Sequence, residues 1–192
     1  MPSATNIIAG AADLYTAPFG STEPVDTTLG SAPITTPWVN LGGTDDGVTL
    51  NVAHEWFEKR MDQVIDVPGR VKTSRAITVA TNLVEGTLDN LRLALSETSA
   101  LTSGGTGSTA WSALELTGDD SGAEPNYTAL ILRGRAPGGK RRLFVCRKVL
   151  QTEDVESAYK KDDQWLIPVT FSCHWVSSSI RPFRVVEDAS TP

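Results

Sequence analysis

Apolar residues along much of this chain recur at every second position, which is the period of a β-strand with one buried face. The clearest example is Val48, Leu50 and Val52, which alternate with polar or small neighbours. The same alternation returns in residues 71–86 and 165–176. Taken over the whole chain, the pattern predicts a mainly β fold, a β-sandwich or partial barrel of about seven to nine strands.

Helical spacing of apolar residues occurs once. Leu88, Leu91 and Leu95 recur at intervals of three and four residues after Thr87. Threonine is a favoured N-cap because its side-chain oxygen accepts a hydrogen bond from a free backbone amide. We therefore predict one flanking α-helix over about residues 87–97, with its leucine stripe packed against the sheet.

Turn signals separate the predicted strands. The sequence RAPGGK predicts a turn between strands at 127–134 and 141–152. Asp46-Gly47 is typical of a hairpin turn because glycine tolerates a positive φ. A first strand is predicted over residues 6–16, where β-branched and aromatic residues flank a run of small ones.

The length of the chain is typical of a single domain, which we predict over residues 1–192. Three segments offer little that would pack in its core. Residues 17–37 contain four prolines, and residues 98–126 are rich in Gly, Ser and Thr near their start. We predict long loops or arms over 17–37 and 98–126, and a C-terminal arm over 177–192.

The chain has few residues or motifs typical of a catalytic, metal-binding or phosphate-binding site. The two histidines, His54 and His174, lie 120 residues apart, and the chain has no HxH, HExxH or CxxC spacing for a metal. It has no GxSxG motif, and the glycines of residues 102–109 lack the lysine of a phosphate-binding loop. We expect Cys146 and Cys173 to be buried free thiols. The sequence therefore predicts no catalytic residue, no metal site and no cofactor.

Charge is distributed unevenly along the chain. The net charge is −6, which argues against a protein that grips nucleic acid over its whole surface. The first basic residue is Lys59, after seven acidic ones, whereas seven of the 17 basic residues fall between Arg133 and Lys148. The acidic first third and the basic segment could pair within one subunit or between neighbours in an assembly.

Signals for membranes and export are missing from the sequence. No run approaches the roughly 18 apolar residues of a membrane-spanning helix. The first ten residues have neither the basic region nor the apolar stretch of a signal peptide. We therefore expect folding in the cytoplasm and no membrane insertion by this chain.

Several segments of the first half occur in an order typical of one family. The segment GGTDDGVTL at Gly42–Leu50 is followed by the charged stretch HEWFEKRMDQ and by LVEGTLDNL at Leu83–Leu91. Together with the opening NIIAGAADLYTAPFGS, this order resembles the tail tube proteins of long, non-contractile phage tails. The resemblance covers about residues 6–96.

The resemblance implies a fold, an assembly and a set of partners. The fold would be a β-sandwich flanked by one helix. Six subunits would form a ring in which the inner sheets of neighbouring subunits join into one continuous barrel. The rings would then stack into a tube. Genomic DNA, and sometimes the tape measure protein, would pass through the tube without specific binding. The tail terminator and the distal tail protein would be further partners. The protein would assemble in the cytoplasm of the bacterial host and reside in the virion tail, without catalytic activity.

Two sets of residues follow as hypotheses from this resemblance and from the charge pattern. A mildly acidic lumen would let DNA slide, and we expect Glu55, Glu58 and Asp62 to face it. Contacts between subunits or rings are expected at complementary charged residues, which are Arg135, Lys140, Arg141, Arg142, Asp45 and Asp46.

Two other functions remain open from the sequence. One is another tail structural protein, such as a terminator or a baseplate subunit. The other is a non-viral β-sandwich binding module, for example for glycans, since five tryptophans are present. Trp56, Trp165 and Trp175 nevertheless fall in predicted strands with core-like neighbours, so we expect them to pack inside.

Overall fold

A computed structural model describes residues 4–24, 34–97, 100–116 and 124–187 of the chain. The fold is mainly β with one short flanking α-helix, as predicted. The described residues form ten strands, β1 to β10, and the helix α1. Their bounds are Asp13–Pro18 (β1), Val39–Asn40 (β2), Thr44–Met61 (β3), Val64–Leu83 (β4), Leu88–Ala94 (α1), Thr102–Gly104 (β5), Trp111–Ala113 (β6), Thr128–Arg135 (β7), Arg141–Gln151 (β8), Ile167–Cys173 (β9) and Phe183–Glu187 (β10).

Eight of the strands form one antiparallel sheet. Its order is β2-β1-β7-β8-β9-β4-β3, and β10 pairs with β8 beside this path. Strands β5 and β6 form a separate small hairpin. The sheet is not a closed barrel, because β2 and β3 each have one edge without a partner strand among the described residues.

The main core lies where β1, β7 and β8 face β4, β9 and α1. Its cluster of buried apolar side chains contains Leu14, Leu83, Leu130 and Phe171, each with 0% exposure. A second, smaller cluster on the other side of β1, β7 and β8 centres on Ile131 and is covered in part by Trp38. Side chains of β7 alternate between the two clusters, which is why this strand is apolar almost throughout.

The helix begins at the predicted cap and ends earlier than predicted. The backbone amide of Asn90 donates to the Thr87 hydroxyl oxygen at 3.2 Å. At the other end, the amide of Ser96 donates to the Leu93 carbonyl and that of Glu97 to the Arg92 carbonyl. This pair of bonds is a Schellman motif, and it requires the left-handed conformation that Ser96 adopts at φ 55°. The α-helix therefore spans seven residues and not the predicted 87–97.

The segment LVEGTLDNL, which carried part of the family resemblance, ties the helix to the sheet. The Asn90 side-chain amide donates to the carbonyl oxygens of Leu41 and Glu85. The amide of Gly43 donates to the Glu85 carboxylate at 3.1 Å. At Gly86, a Cβ atom would lie 2.1 Å from the Trp165 ring, so only glycine fits. These contacts give the segment a structural role.

The predicted hairpin turn at Asp46-Gly47 is wrong. Both residues have positive φ, 59° and 74°, as the sequence suggested. They form a bulge inside β3, because Asp45 pairs with Asn82 whereas Val48 pairs with Thr81. The reversal between β3 and β4 lies instead at residues 62–63. A positive φ is compatible with either a turn or a bulge, and only the pairing with β4 decides between them.

Two terminal predictions also need correction. The first strand begins at Asp13 and not near residue 6, and residues 7–12 form no strand. The arm predicted over 177–192 is wrong for Phe183–Glu187, which forms β10 and pairs with β8. The turn between β7 and β8 is confirmed at Pro137–Gly139.

The long loops predicted over 17–37 and 98–126 fall partly outside the described residues. Positions 25–33, 98–99, 117–123 and 188–192 are not described. Within 98–126, the described part contains the β5–β6 hairpin. The role of these segments as arms stays a prediction.

The first loop is anchored to the sheet by an acidic residue between two arginines. The Glu23 carboxylate accepts hydrogen bonds from Arg147 and, at 3.1 Å, from Arg184. Partial burial alone would raise the pKa of Glu23, but the hydrogen bonds and charges of the two arginines outweigh it. The pKa of Glu23 is therefore lowered from its usual value of 4.5. Residues 17–24 are held by this cluster against β8 and β10.

We expect Glu23→Gln to destabilise the subunit only where Glu23 is ionised. A lowered folded pKa contributes stability above pH 4.5, and that stability is lost as the pH falls through the folded pKa. Urea unfolding at pH 7 should show a loss on the order of 1 kcal/mol relative to the native chain. The difference should shrink as the pH falls below 4.5 and through the folded pKa. The control is Glu115→Gln, at an exposed carboxyl. A loss in Glu23→Gln that does not change with pH would contradict a stabilising role of the ionised Glu23 carboxylate.

Candidate assembly surfaces

The long β3–β4 hairpin projects beyond the rest of the sheet. Its two strands pair from Thr44 and Leu83 to Met61 and Val64, whereas β9 covers β4 only at Thr78–Leu83. Residues 54–75, which we call the distal hairpin, therefore have no third strand beside them among the described residues. Eight residues of β3 in this part extend roughly 25 Å at the usual rise of a strand. All of the distal hairpin is exposed except Glu58 and Gly69, which are half-buried.

The distal hairpin exposes large apolar side chains on both faces. Phe57 is 62% exposed and Ile65 is fully exposed at the tip. Trp56, predicted as a core residue, is 53% exposed. The other exposed apolar residues of the distal hairpin are Met61, Val64, Val67 and Val71. A two-stranded hairpin of this kind is marginally stable in water, and its free edges invite pairing with another chain.

The three residues predicted to face a lumen all lie on the distal hairpin. Glu58 accepts hydrogen bonds from the Arg70 guanidinium at 3.0 and 2.7 Å, and Glu55 accepts one from Ser74 at 2.8 Å. Asp62 lies in the exposed turn. Side chains alternate between the two faces along β3. His54 and Trp56, whose rings meet edge to face, therefore share one face with Glu58, and Glu55 lies on the other face. The structure therefore brings the three carboxylates onto one element but not onto one face.

The basic residues of the β7–β8 hairpin surround a cavity of about 400 Å³. The cavity is lined by Arg135, Lys140 and Arg141 of the predicted contact set, and also by Arg133 and Asp13. Arg142 does not belong to it, since its guanidinium binds the Glu187 carboxylate, with its Nε at 3.0 Å. Arg133 was missed from the sequence because it lies inside an apolar strand. The sequence signal that could have identified Arg133 is that an arginine occurs within the otherwise apolar run ALILRG.

The acidic pair Asp45 and Asp46 lies far from this cavity in the sheet. Both residues sit at the bulge in β3, the edge strand, beside a shallow depression shared with Asn82 and Thr170. Three strands, β8, β9 and β4, separate β3 from β7. Among the described residues, neither aspartate forms an ion pair. Asp45 and Asp46 therefore do not pair with the basic cavity in the described part of one subunit, whereas Glu23 of the acidic first third does bind Arg147 of the basic segment.

A family comparison decides between the assignments left open by the sequence. The family described as phage tail tube protein matches residues 2–188. The chain belongs to the phage tail tube protein family. No curated protein matches the chain. The match extends the resemblance seen at residues 6–96 over nearly the whole tail tube protein, and it assigns a structural role in the virion tail.

From Thr49 to Ala53, the face of β3, β4 and β9 that turns away from the main core carries small, uncharged side chains in this tail tube protein. These residues pair across the strands, Thr49 with Ala80, and Thr78 with Asn51 and Ser172. The uncharged set is Thr49, Asn51, Ala53, Ala76, Thr78, Ala80, Asn82, Pro168, Thr170 and Ser172, and Asp45, in register with Asn82, adds a carboxylate at its edge. Such a surface offers no cation to hold a phosphate backbone.

The potential ligand residues of the tail tube protein do not converge. In the part of the chain that the structure describes, no group of three or more His, Cys, Asp or Glu side chains is placed to hold a metal. Cys146 is a buried free thiol as expected, and Cys173 is free and half-buried. A hydrogen bond with Cys173 and burial raise the pKa of the Cys146 thiol far above its usual range, which makes it a poor nucleophile. None of the described helices is long and apolar enough to cross a membrane.

Proposed function

We propose that this tail tube protein polymerises as stacked hexameric rings that form the conduit for genomic DNA. The observation that carries this proposal is the distal hairpin. It exposes apolar side chains and leaves both of its strand edges unpaired among the described residues. A protein that stayed monomeric would be prone to aggregate through such an element. A second copy of the chain is the partner that a tube-forming family supplies.

Two unlike charged surfaces support a head-to-tail arrangement. The β3 edge carries Asp45 and Asp46, whereas the basic residues belong to the β7–β8 hairpin, three strands away in the sheet. Because the two surfaces differ, their contact is heterologous and generates a ring or a filament, not a closed dimer. Joining of neighbouring sheets into a barrel would also remove the exposed edge of β3.

The part of the β3, β4 and β9 face that carries small, uncharged side chains suits the lumen wall. DNA carries one charge per roughly 1.7 Å of its axis, so a wall with exposed cations would retain it. Part of the negative charge on the distal hairpin is neutralised, because the Glu58 carboxylate binds the Arg70 guanidinium at 2.7 Å. The tape measure protein would occupy the same lumen, and the tail terminator and the distal tail protein would cap the two ends.

Electron microscopy of the purified, concentrated protein tests this proposal. We expect long tubes with a ring repeat and sixfold end views. Single rings that do not stack would favour a terminator, and a monodisperse monomer at all concentrations would favour a binding module. Either of these results would contradict the proposed function.

We expect the lumen carboxylates to affect DNA passage and not assembly. Asp62→Lys, together with Glu55→Lys on the face of Thr49, Asn51 and Ala53, places cations on the distal hairpin and should slow DNA ejection from virions that carry normal tubes. The control is the exchange Glu58→Arg with Arg70→Glu, which keeps the ion pair and the net charge. Ejection kinetics followed by dye release measure the effect, and unchanged kinetics would contradict the lumen assignment of Glu55 and Asp62.

We expect charge reversal of the basic hairpin to block assembly. Replacing Arg135, Lys140 and Arg141 by glutamate should give monomers or isolated rings and no tubes. Arg142 is left unchanged because it stabilises β10 through Glu187. Combining the triple variant with Asp45→Lys and Asp46→Lys should restore part of the assembly if the two surfaces meet. Tubes of normal length from the triple variant would contradict the contact.

A further inference from the structure

Arg133 is a buried cation without a partner among the described residues. Its side chain lines the cavity of the β7–β8 hairpin, and the residue is only 8% exposed. Within the described part of the chain, its buried Nε atom has no hydrogen-bond acceptor, and its guanidinium forms no ion pair. Burying an unpaired charge is costly, so a group that accepts its hydrogen bonds is expected in the cavity.

The surroundings of Arg133 favour a negatively charged group. Arg135 and Arg141 lie directly opposite each other on β7 and β8, a like-charge pair that is unfavourable by itself. Lys140 adds a fourth cation at the rim. Asp13 is the one acid that lines this cavity and, although it pairs in register with Arg133, it forms no ion pair with it in the described structure.

We propose that this cavity is an oxyanion-binding site in which Arg133 is the deep donor and Arg135, Lys140 and Arg141 hold the group from the rim. The ligand is a carboxylate or phosphate group, which matches the planar fork of donors that a guanidinium presents. The backbone of a DNA duplex is convex and suits this concave site poorly. A carboxylate of a second copy of the chain and free phosphate are the two sources of this chemistry.

Binding of inorganic phosphate to the full-length monomer tests the site without requiring assembly. Phosphate is titrated at constant ionic strength while the Nε–H signal of Arg133 is followed by NMR. We expect a saturable shift in the native chain and a loss of affinity of about tenfold or more in Arg133→Met. The same substitution at Arg142, on the same hairpin but outside the cavity, is the matched control and should leave phosphate binding unchanged.

The variant Asp13→Asn distinguishes between two roles of Arg133, binding of an oxyanion and an internal ion pair with Asp13. If the cavity binds an oxyanion, removal of the neighbouring negative charge should tighten phosphate binding and leave the unfolding temperature unchanged or higher. If Arg133 serves only to pair with Asp13, the variant should unfold at a lower temperature and bind phosphate no better. That second result, or the absence of a saturable shift in the native chain, overturns the proposal.

Competition with assembly then identifies the source of the group. Where phosphate delays tube formation by the native chain but not by Arg133→Met, the natural ligand is a carboxylate of a second copy. Where phosphate binds and tubes form at the same rate, the ligand is a free anion. Both results support the site, whereas failure to form any tubes contradicts the proposed function and leaves the phosphate titration as an independent test.

Discussion

Deletion of the distal hairpin should abolish tube formation and leave a folded subunit. Residues 54–75 would be replaced by Asn-Gly, a two-residue turn that joins strands in direct register, as Ala53 and Ala76 are. None of the deleted residues belongs to either buried core cluster. The unfolding temperature should therefore stay close to that of the native chain, while electron microscopy at high concentration shows monomers.

A second variant separates the apolar surface of the distal hairpin from its strand edges. Phe57→Ser, Ile65→Ser and Val71→Ser keep the hairpin at full length but remove three exposed apolar side chains. We expect the concentration needed for tube formation to rise at least tenfold. Lys161→Ser, in the exposed loop before β9, is the control for the substitution. Tubes from the deletion variant, with normal length and yield, would contradict the role of the hairpin.

Phe171→Ala should bring the subunit close to unfolding. Phe171 lies in the middle of β9 with 0% exposure and belongs to the main core cluster. Truncation of a buried phenylalanine removes its transfer free energy and leaves a cavity, which together cost about 3–5 kcal/mol. Domains of this kind have a total stability of roughly 5–15 kcal/mol, so the variant should be partly unfolded at 37 °C.

Urea unfolding of the monomer followed by circular dichroism measures this loss. Phe57→Ala is the matched control, because the same side chain is removed at a position that is 62% exposed. We expect the control to lose less than about 0.5 kcal/mol. A loss below about 1.5 kcal/mol at Phe171 would mean that the core collapses around the cavity or is less well packed than the structure indicates.

Local patterns were sufficient to predict several of the regular elements. The strands β7, β8 and β9 lie within two or three residues of the predicted segments. Thr87 caps the helix as expected, because capping depends only on residues within one turn. Prediction from local sequence was wrong where the same residues are typical of two different local structures. Asp46-Gly47 has the positive φ of a turn, and only its pairing with β4 makes it a bulge.

The candidate surfaces could be predicted only in part. The sequence pointed to Arg135, Lys140 and Arg141 because basic residues cluster there, and the structure brings them together around a cavity. It did not point to Arg133, whose burial depends on β1 and β8 on either side. It also predicted Trp56 and Trp175 as core residues, yet they are 53% and 71% exposed. Alternation identifies a strand but does not say whether a second layer covers it.

The sequence by itself determined that this chain is a mainly β protein with one capped helix and with an uneven charge distribution. Those properties depend on neighbours along the chain, and the family match is likewise a property of residue order. Only the tertiary structure decided, for the residues it describes, which strand edges stay free, which apolar residues remain exposed and which arginine is buried without a partner. Each of these depends on pairing between strands that are distant in sequence, such as β1 with β7 and β4 with β9. The assembly surfaces are therefore the part that local patterns could not supply.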